Sequence, residues 1–199
     1  MSVVGRTAGR SPEETRRALL KAAAETIRVR GIHASLDETA RNASVSKGGL
    51  LYHFASKDEL ILELVRAELA AFQASIDVEL DPDDTAPGRL TRAYIRAVLA
   101  PTSDDEARES LALITQLMTV PAVAEVARAD AERLEAALAA DGLPADVLAL
   151  VVAAADGMSS APLWGGSAHT PAHRRLAERL QHLTRHPELW ESLPWPPSA

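Results

Sequence analysis

Four times along this chain a serine is followed, three residues later, by a glutamate: Ser11-Pro12-Glu13-Glu14, Ser35-Leu36-Asp37-Glu38, Ser56-Lys57-Asp58-Glu59 and Ser103-Asp104-Asp105-Glu106. At a helix start the serine hydroxyl accepts the amide proton of the third helical residue. The glutamate there reaches back to the serine's own amide, so two orphan donors are satisfied reciprocally. Pro12 suits the first helical position, where no amide proton is needed. No Asn-Gly hairpin turn and no sustained two-residue alternation occurs, so strands are not expected. The pattern predicts an all-α protein of about nine helices.

The first helix is predicted over about 12–30, with Leu19, Leu20, Ala23 and Ile27 on one face and Gly31 as its stop. A second runs from Ser35 to about Asn42, and a third from near Ser46 to near Phe54. The fourth starts after Ser56 and continues to about Leu80, with Ile61, Val65, Leu69, Phe72, Ile76 and Leu80 spaced by three or four. At about 36 Å it outruns the small bundle before it, so its far half is expected to serve a second domain. DPDDTAPG (81–88) reads as a turn-rich linker. Helices are expected at about 88–100, 104–119, 121–140, 144–163 and 171–186, and the last fourteen residues, rich in Pro and Trp, are expected to be only partly helical. The organisation expected is a domain over 12–66, with a helix-turn-helix at about 35–54, and a second over 67–199.

With 47% hydrophobic residues among 199, the chain has enough apolar side chain for a core. It lacks cysteine, which excludes disulfides, thiolate metal sites and cysteine nucleophiles and fits a reducing compartment. The longest wholly apolar run, Val147 to Ala155, is nine residues, where a membrane span needs about 20. The opening MSVVGRTAGRSPEE shows no apolar signal-peptide core. The expectation is a soluble cytoplasmic protein with no membrane partner. The net charge of −7 is unevenly spread. Residues 1–66 carry 11 Lys and Arg against 8 Asp and Glu, whereas residues 67–199 carry 10 against 20. A basic end on an acidic body places any nucleic-acid contact at the first end.

The second and third predicted helices are short and separated by Ala43-Ser44-Val45. Ala40 is small where two such helices must touch, and Val45 and Leu50 are placed to fill the core between them. That geometry turns one face of the third helix outward, as a helix-turn-helix does toward the major groove.

The run GIHASLDETARNASVSKGGLLYHFASKDELILELV (31–65) resembles the DNA-binding domain of the TetR (tetracycline-repressor) family. That family usually shows a glycine after the first helix, a hydroxyl residue opening the second, and a signature close to A-G-V-S-K-G-T-L-Y-x-H-F-x-S-K-x-x-L. The resemblance covers residues 12–66, and Ala155-Asp156-Gly157 is also familiar from the family. This chain departs from the pattern at Ser44, where glycine is usual; at Thr39, usually aliphatic; at Gly49, usually threonine; and at Leu51, usually tyrosine, with Tyr52 one residue later. A left-handed turn at Ser44 would cost about 1 kcal/mol. Because of these departures the operator cannot be carried over from relatives.

The resemblance and the chemistry together assign the following DNA contacts. Ser35 and Ser46 cap helices whose amides point at phosphates. Lys47 reaches a base edge or phosphate in the major groove. Gly48 and Gly49 let the backbone approach the groove. Tyr52 and His53 donate to phosphates, and Lys57 works as a phosphate clamp at the start of the fourth helix. Arg6 and Arg10 lie on an arm before the first helix, read either as a solvated tail or as reaching a neighbouring groove. Leu50 and Phe54 are core.

For the body, the resemblance implies a homodimer through a four-helix bundle built from helices about 144–163 and 171–186. The first of these is apolar on nearly every side and needs a partner. It also implies an effector pocket for a small apolar or amphipathic molecule, with Tyr94, Leu113, Gln116, Leu117, Met118, Met158 and Trp164 as candidate lining residues. His182 and His186, and His169 and His173, stand four apart, a spacing that can serve a metal, but they read as solvent-facing. No nucleophile elbow or phosphate-binding glycine loop is present, so no catalytic residue, metal or cofactor is expected. The function expected is a ligand-responsive repressor that binds a palindromic DNA operator as a dimer. The alternative is a small-molecule-binding all-α protein, or a small enzyme, that retains the domain but no longer binds DNA.

Overall fold

The computed structural model describes residues 10–193, so Arg6 and the terminal Pro/Trp stretch from 194 onward lie outside the described residues. Among those described, every regular element is helical: α1 (Pro12–Arg30), α2 (Leu36–Asn42), α3 (Lys47–His53), α4 (Lys57–Val78), α5 (Arg89–Val98), α6 (Asp104–Leu117), α7 (Pro121–Ala139), α8 (Ala145–Ser159), a 3-10 turn (Ala161–Trp164), α9 (Pro171–Arg185) and α10 (Glu188–Glu191). The Ser-x-x-Glu signals act as expected at α1 and α2, where both halves of the capping box form. At Ser103 the reciprocal pair with Glu106 forms as well, both bonds at 3.1 Å, whereas at Ser56 the hydroxyl accepts the Glu59 amide at 3.1 Å and Glu59 reaches back to the Ala55 amide.

Helix ends fall close to their predicted positions. The exception is α8, which was expected to reach 163 but stops at Ser159. Pro162 follows and cannot donate an amide proton, so the chain tightens into a 3-10 turn closed by Gly165 at φ 78°. The short α10 falls in the C-terminal stretch expected to be only partly helical.

The chain divides into two compact units. The first runs to Leu69 and takes in Ala112–Ala127. Its core gathers Leu19, Ala23 and Ile27 of α1, Ala40 of α2, Leu50 of α3, Phe54, and Leu60, Ile61 and Leu64 of α4. Leu113, Leu117 and Val123 complete it. Burying a Leu or Phe side chain in this way contributes about 1.5–3 kcal/mol each.

The second unit comprises Ala70–Leu111 and the chain from Arg128. There α5 packs on α8 and α9, and α8 on α9. Val147, Val151, Ala155 and Met158 of α8 join Ile95 and Leu180, while Ile76, Ala93, Tyr94 and Leu138 form a second cluster. The segment 81–88, read as a linker, is tied down. Arg92 is fully buried and donates from Nε to Asp84 Oδ2 at 2.7 Å and from Nη2 to Asp84 Oδ1 at 2.8 Å. Its remaining protons go to the carbonyls of Ala86 and Pro87 and to Thr184. Asp141 caps α5 from outside, accepting from the amides of Leu90 and Thr91.

Candidate nucleic-acid interface

Within the first unit, α2 opens at Ser35. Its hydroxyl accepts from the Glu38 amide at 3.3 Å, and its amide donates to Glu38 Oε2 at 3.1 Å. That backbone amide, followed by the hydroxyl, holds the Glu38 carboxyl below the usual carboxylate range. Ser35 is exposed, but its polar groups are engaged by the capping box. Ala40 is almost wholly buried, and its carbonyl accepts the Val45 amide at 2.9 Å. Between them Ser44 takes the left-handed conformation at φ 57°, the strained geometry a glycine would adopt freely.

The third helix is short and anchored. Ser46 caps it, its hydroxyl accepting the Gly49 amide at 3.1 Å. Leu50 and Phe54 point into the core and are fully buried. Lys47, Gly48, Leu51 and Tyr52 form the exposed face, with Tyr52 at 84%. The Tyr52 ring meets His53 edge-on at 5.3 Å, and His53 is half-buried. Lys47 Nζ lies 2.9 Å from Asp37 Oδ2, a pair exposed on both sides.

The two glycines differ. A Cβ on Gly48 would meet nothing within 4 Å, so its backbone stands open to an incoming surface. A Cβ on Gly49 would lie 2.7 Å from Val45 Cγ1 and 3.3 Å from Ser46 Oγ. As this structure packs, a side chain at 49 would force Val45 to shift, a constraint that sequence pattern did not reveal.

Lys57 opens α4 and is half-buried beside Ser56. Arg10 is docked, its guanidinium donating to the Ala43 carbonyl at 3.2 Å. Sequence reasoning missed Arg16, which lies 4.5 Å over the Phe54 ring, donates to the His53 carbonyl at 3.3 Å and pairs with Glu63. It thereby braces the end of α3 against α1 and α4. Asp37, the partner of Lys47, was also missed. The first turn of α2 and the first residue of α3 stand ten residues apart in sequence, and only the tight turn brings them together.

The seven candidate effector residues are divided between the units. Leu113 and Leu117 are buried in the first unit's core, Gln116 is half-buried there, and Met118 is exposed. In the second unit Tyr94 is buried, and its hydroxyl donates to Asp156 Oδ1 at 2.5 Å. Burial first, and then that carboxylate, push the Tyr94 hydroxyl well above its usual pKa. The Tyr94 ring meets Phe72 edge-on at 6.1 Å. Met158 belongs to the α8 core, whereas Trp164 is 85% exposed. A separate groove of about 360 Å³ lies between the end of α5 and α9, with Arg96 bound to Glu79 and Gln181 at its edge. The rings of His182 and His186 lie 4.5 Å apart, and His186 Nδ1 is 3.1 Å from Glu188.

Comparison with known proteins bears on both units. Residues 19–64 match the family model of bacterial regulatory proteins, tetR family, and residues 88–185 match the tetracyclin repressor-like C-terminal domain. The chain is 38% identical over 72 residues to the HTH-type transcriptional regulator SrpR of Pseudomonas putida, a match covering 36% of this chain and 32% of that protein. It is 29% identical over 126 residues to the HTH-type transcriptional regulator RutR of Escherichia coli (strain K12), covering 63% of this chain and 58% of the relative. The matches thus span between a third and somewhat over half of these relatives' lengths. Among solved structures, a transcriptional regulator from Rhodococcus sp. superposes with a TM-score of 0.62 at 26% identity, over 93% of this chain and 100% of that one. The multidrug binding protein EbrR complexed with malachite green gives 0.64 at 26% identity, over 84% and 96%.

Proposed function

The chain belongs to the TetR family of bacterial regulatory proteins, and from that premise we propose that it is a ligand-responsive transcriptional repressor that binds a palindromic DNA operator as a homodimer in the cytoplasm. The observation that carries this reading is the outward face of α3. Lys47, an open Gly48 and Tyr52 stand exposed on a helix whose other face, Leu50, is fully buried. A helix held that firmly can present its side chains to a groove with little ordering cost on binding. Lys47 exchanges Asp37 for DNA, and Tyr52, His53 and Lys57 take phosphates. Ser35 and Ser46 set the helix ends that face the backbone.

Residues 12–66 serve as the DNA-binding domain and 67–199 as the ligand-binding and dimerisation domain. Support for the dimer comes from α8. Val147, Val151 and Ala155 are buried within the chain, while Ala145, Ala149 and Ala153 stand exposed on another face and allow close helix approach. The partner helix is α9. The effector is a small apolar or amphipathic molecule; EbrR, of similar fold, was solved with malachite green. Binding shifts the population toward a spacing of the two α3 helices that no longer fits the operator, which requires different affinities for the two spacings.

Duplex binding measured across a salt series, followed by selection from a random DNA pool and a screen for releasing ligands, tests the reading. Absence of duplex binding at low salt would overturn it in favour of a domain retained without DNA recognition.

A further inference from the structure

On the DNA-binding reading above, the exposed face of α3 has one member whose chemistry is already decided. Lys47, Gly48, Leu51 and Tyr52 share that face through their three- and four-residue spacings. Lys47 offers a charge and Tyr52 a hydroxyl. Leu51 offers only hydrocarbon, yet it stands 40% exposed beside the fully buried Leu50. It precedes Tyr52, so the ring and hydroxyl lie one residue further along the helix than Leu51.

Gly48, one turn earlier, adds the second observation. A Cβ there would meet nothing within 4 Å. Leu51 follows Gly48 by three residues on the same exposed face, so an incoming surface that approaches the open backbone at Gly48 meets Leu51 one turn later. The edges of base pairs in the major groove present hydrogen-bond donors and acceptors and a single hydrocarbon group, the C5-methyl of thymine. A polar base edge placed against Leu51 would lose its water and gain no partner.

We infer that Leu51, beside the open backbone at Gly48, reads a thymine methyl in each half-site of the operator. Leu51 is thus a specificity-determining residue, distinct from the phosphate contacts that supply most of the affinity. Its contribution is the burial of one methyl group, a factor of about 4 in affinity for each half-site.

The test uses the full-length protein and duplexes selected from a random pool. Each thymine is replaced in turn by deoxyuridine, which removes the methyl and preserves every hydrogen bond. The expected result is one position per half-site at which the wild type binds about 4-fold more weakly. In Leu51→Ala the same replacement has no effect, and in Leu51→Met, which keeps an apolar tip, the penalty returns. Leu51 is exposed, so both variants are expected to retain the wild-type helical circular dichroism. Uniform indifference of the wild type to deoxyuridine would overturn the inference, as would a penalty of unchanged size in Leu51→Ala. In both of those results salt-dependent duplex binding persists. Its absence altogether would instead remove the DNA-binding reading, and this inference with it.

Discussion

Val45 occupies the space into which a side chain at residue 49 would project: a Cβ built on Gly49 stands 2.7 Å from Val45 Cγ1. Valine is stiff about χ1, so it cannot swing aside cheaply. A side chain at 49 therefore has to displace Val45 from its present place, whereas Gly48 next door is free of any such neighbour.

That difference predicts opposite outcomes for two adjacent substitutions. Gly48→Ala is expected to stabilise the free protein by about 0.5–1 kcal/mol, because alanine loses less backbone entropy in a helix. It should also weaken duplex binding by filling the approach. Gly49→Thr is expected to destabilise by about 1–3 kcal/mol through overpacking, and Val45→Ala in the same chain should recover part of that loss. Urea unfolding of the three variants beside the wild type checks both signs.

Lys47 and Asp37 form an exposed pair at 2.9 Å, which is worth about 0–1 kcal/mol to the fold. Breaking it should barely move stability. Asp37→Ala is expected to tighten duplex binding several-fold, since the lysine no longer has a competing carboxylate and the face loses a negative charge. Lys47→Ala and Lys57→Ala should each weaken binding to all duplexes and flatten the salt dependence by about one unit. A salt titration by fluorescence anisotropy distinguishes these outcomes, and an unchanged slope in Lys57→Ala would count against its role as a clamp.

Arg92 has no exposed surface and depends on Asp84 for charge balance. Arg185 reaches the same carboxylate at 3.1 Å. Asp84→Asn is expected to cost about 3–5 kcal/mol, because it strands a buried guanidinium. Replacing the pair together, Asp84→Leu with Arg92→Met, should cost less than either single change. The hydrogen bond from Arg92 holds the Asp84 carboxyl below its ordinary value, reinforced by the Ala86 amide. A carboxyl lowered in the folded state contributes stability at pH above its unfolded value of about 3.9, and that stability is lost as pH falls through the lower folded value. Thermal unfolding between pH 6 and 2.5 should therefore show a steeper acid-side loss in the wild type than in Asp84→Asn.

Ala149 and Ala153 lie exposed on α8, facing away from Val147 and Val151. Ala153→Arg is expected to leave the helical circular dichroism intact and to convert a dimer to a monomer in light scattering at micromolar concentration. Affinity for a palindromic site should fall with it, while weak non-specific binding remains. A wild-type chain that is monomeric under the same conditions would rule out the α8–α9 interface.

Much of the fold was legible because helix starts and apolar spacing are local. The serine and glutamate of each cap lie within four residues, and the core positions Leu19, Ile27, Ile61 and Val65 follow from periodicity alone. The left-handed turn at Ser44 was legible only through the family resemblance, whose pattern usually has glycine at that position. What stayed hidden involves contacts between elements rather than spacing within one. Leu113 and Leu117 were read as candidates for a pocket in the acidic body, and they lie in the core beneath the helix-turn-helix. Periodicity says that a leucine is buried but not against what. Asp84, read as part of a linker, is the buried counter-ion of a buried arginine, and no local pattern announces such a pair.

The sequence by itself determined an all-α protein, the limits of most helices, and a helix-turn-helix with the family it resembles, because each rests on spacing within a turn or two of chain. Tertiary structure decided which side chains remain available on that motif. Arg16 is spent on bracing α3, Lys47 is held by Asp37, Gly49 lies packed against Val45, and Gly48 and Leu51 are left facing outward. Availability depends on what else occupies the surrounding space, and that is settled only when α1, α2, α3 and α4 have packed together.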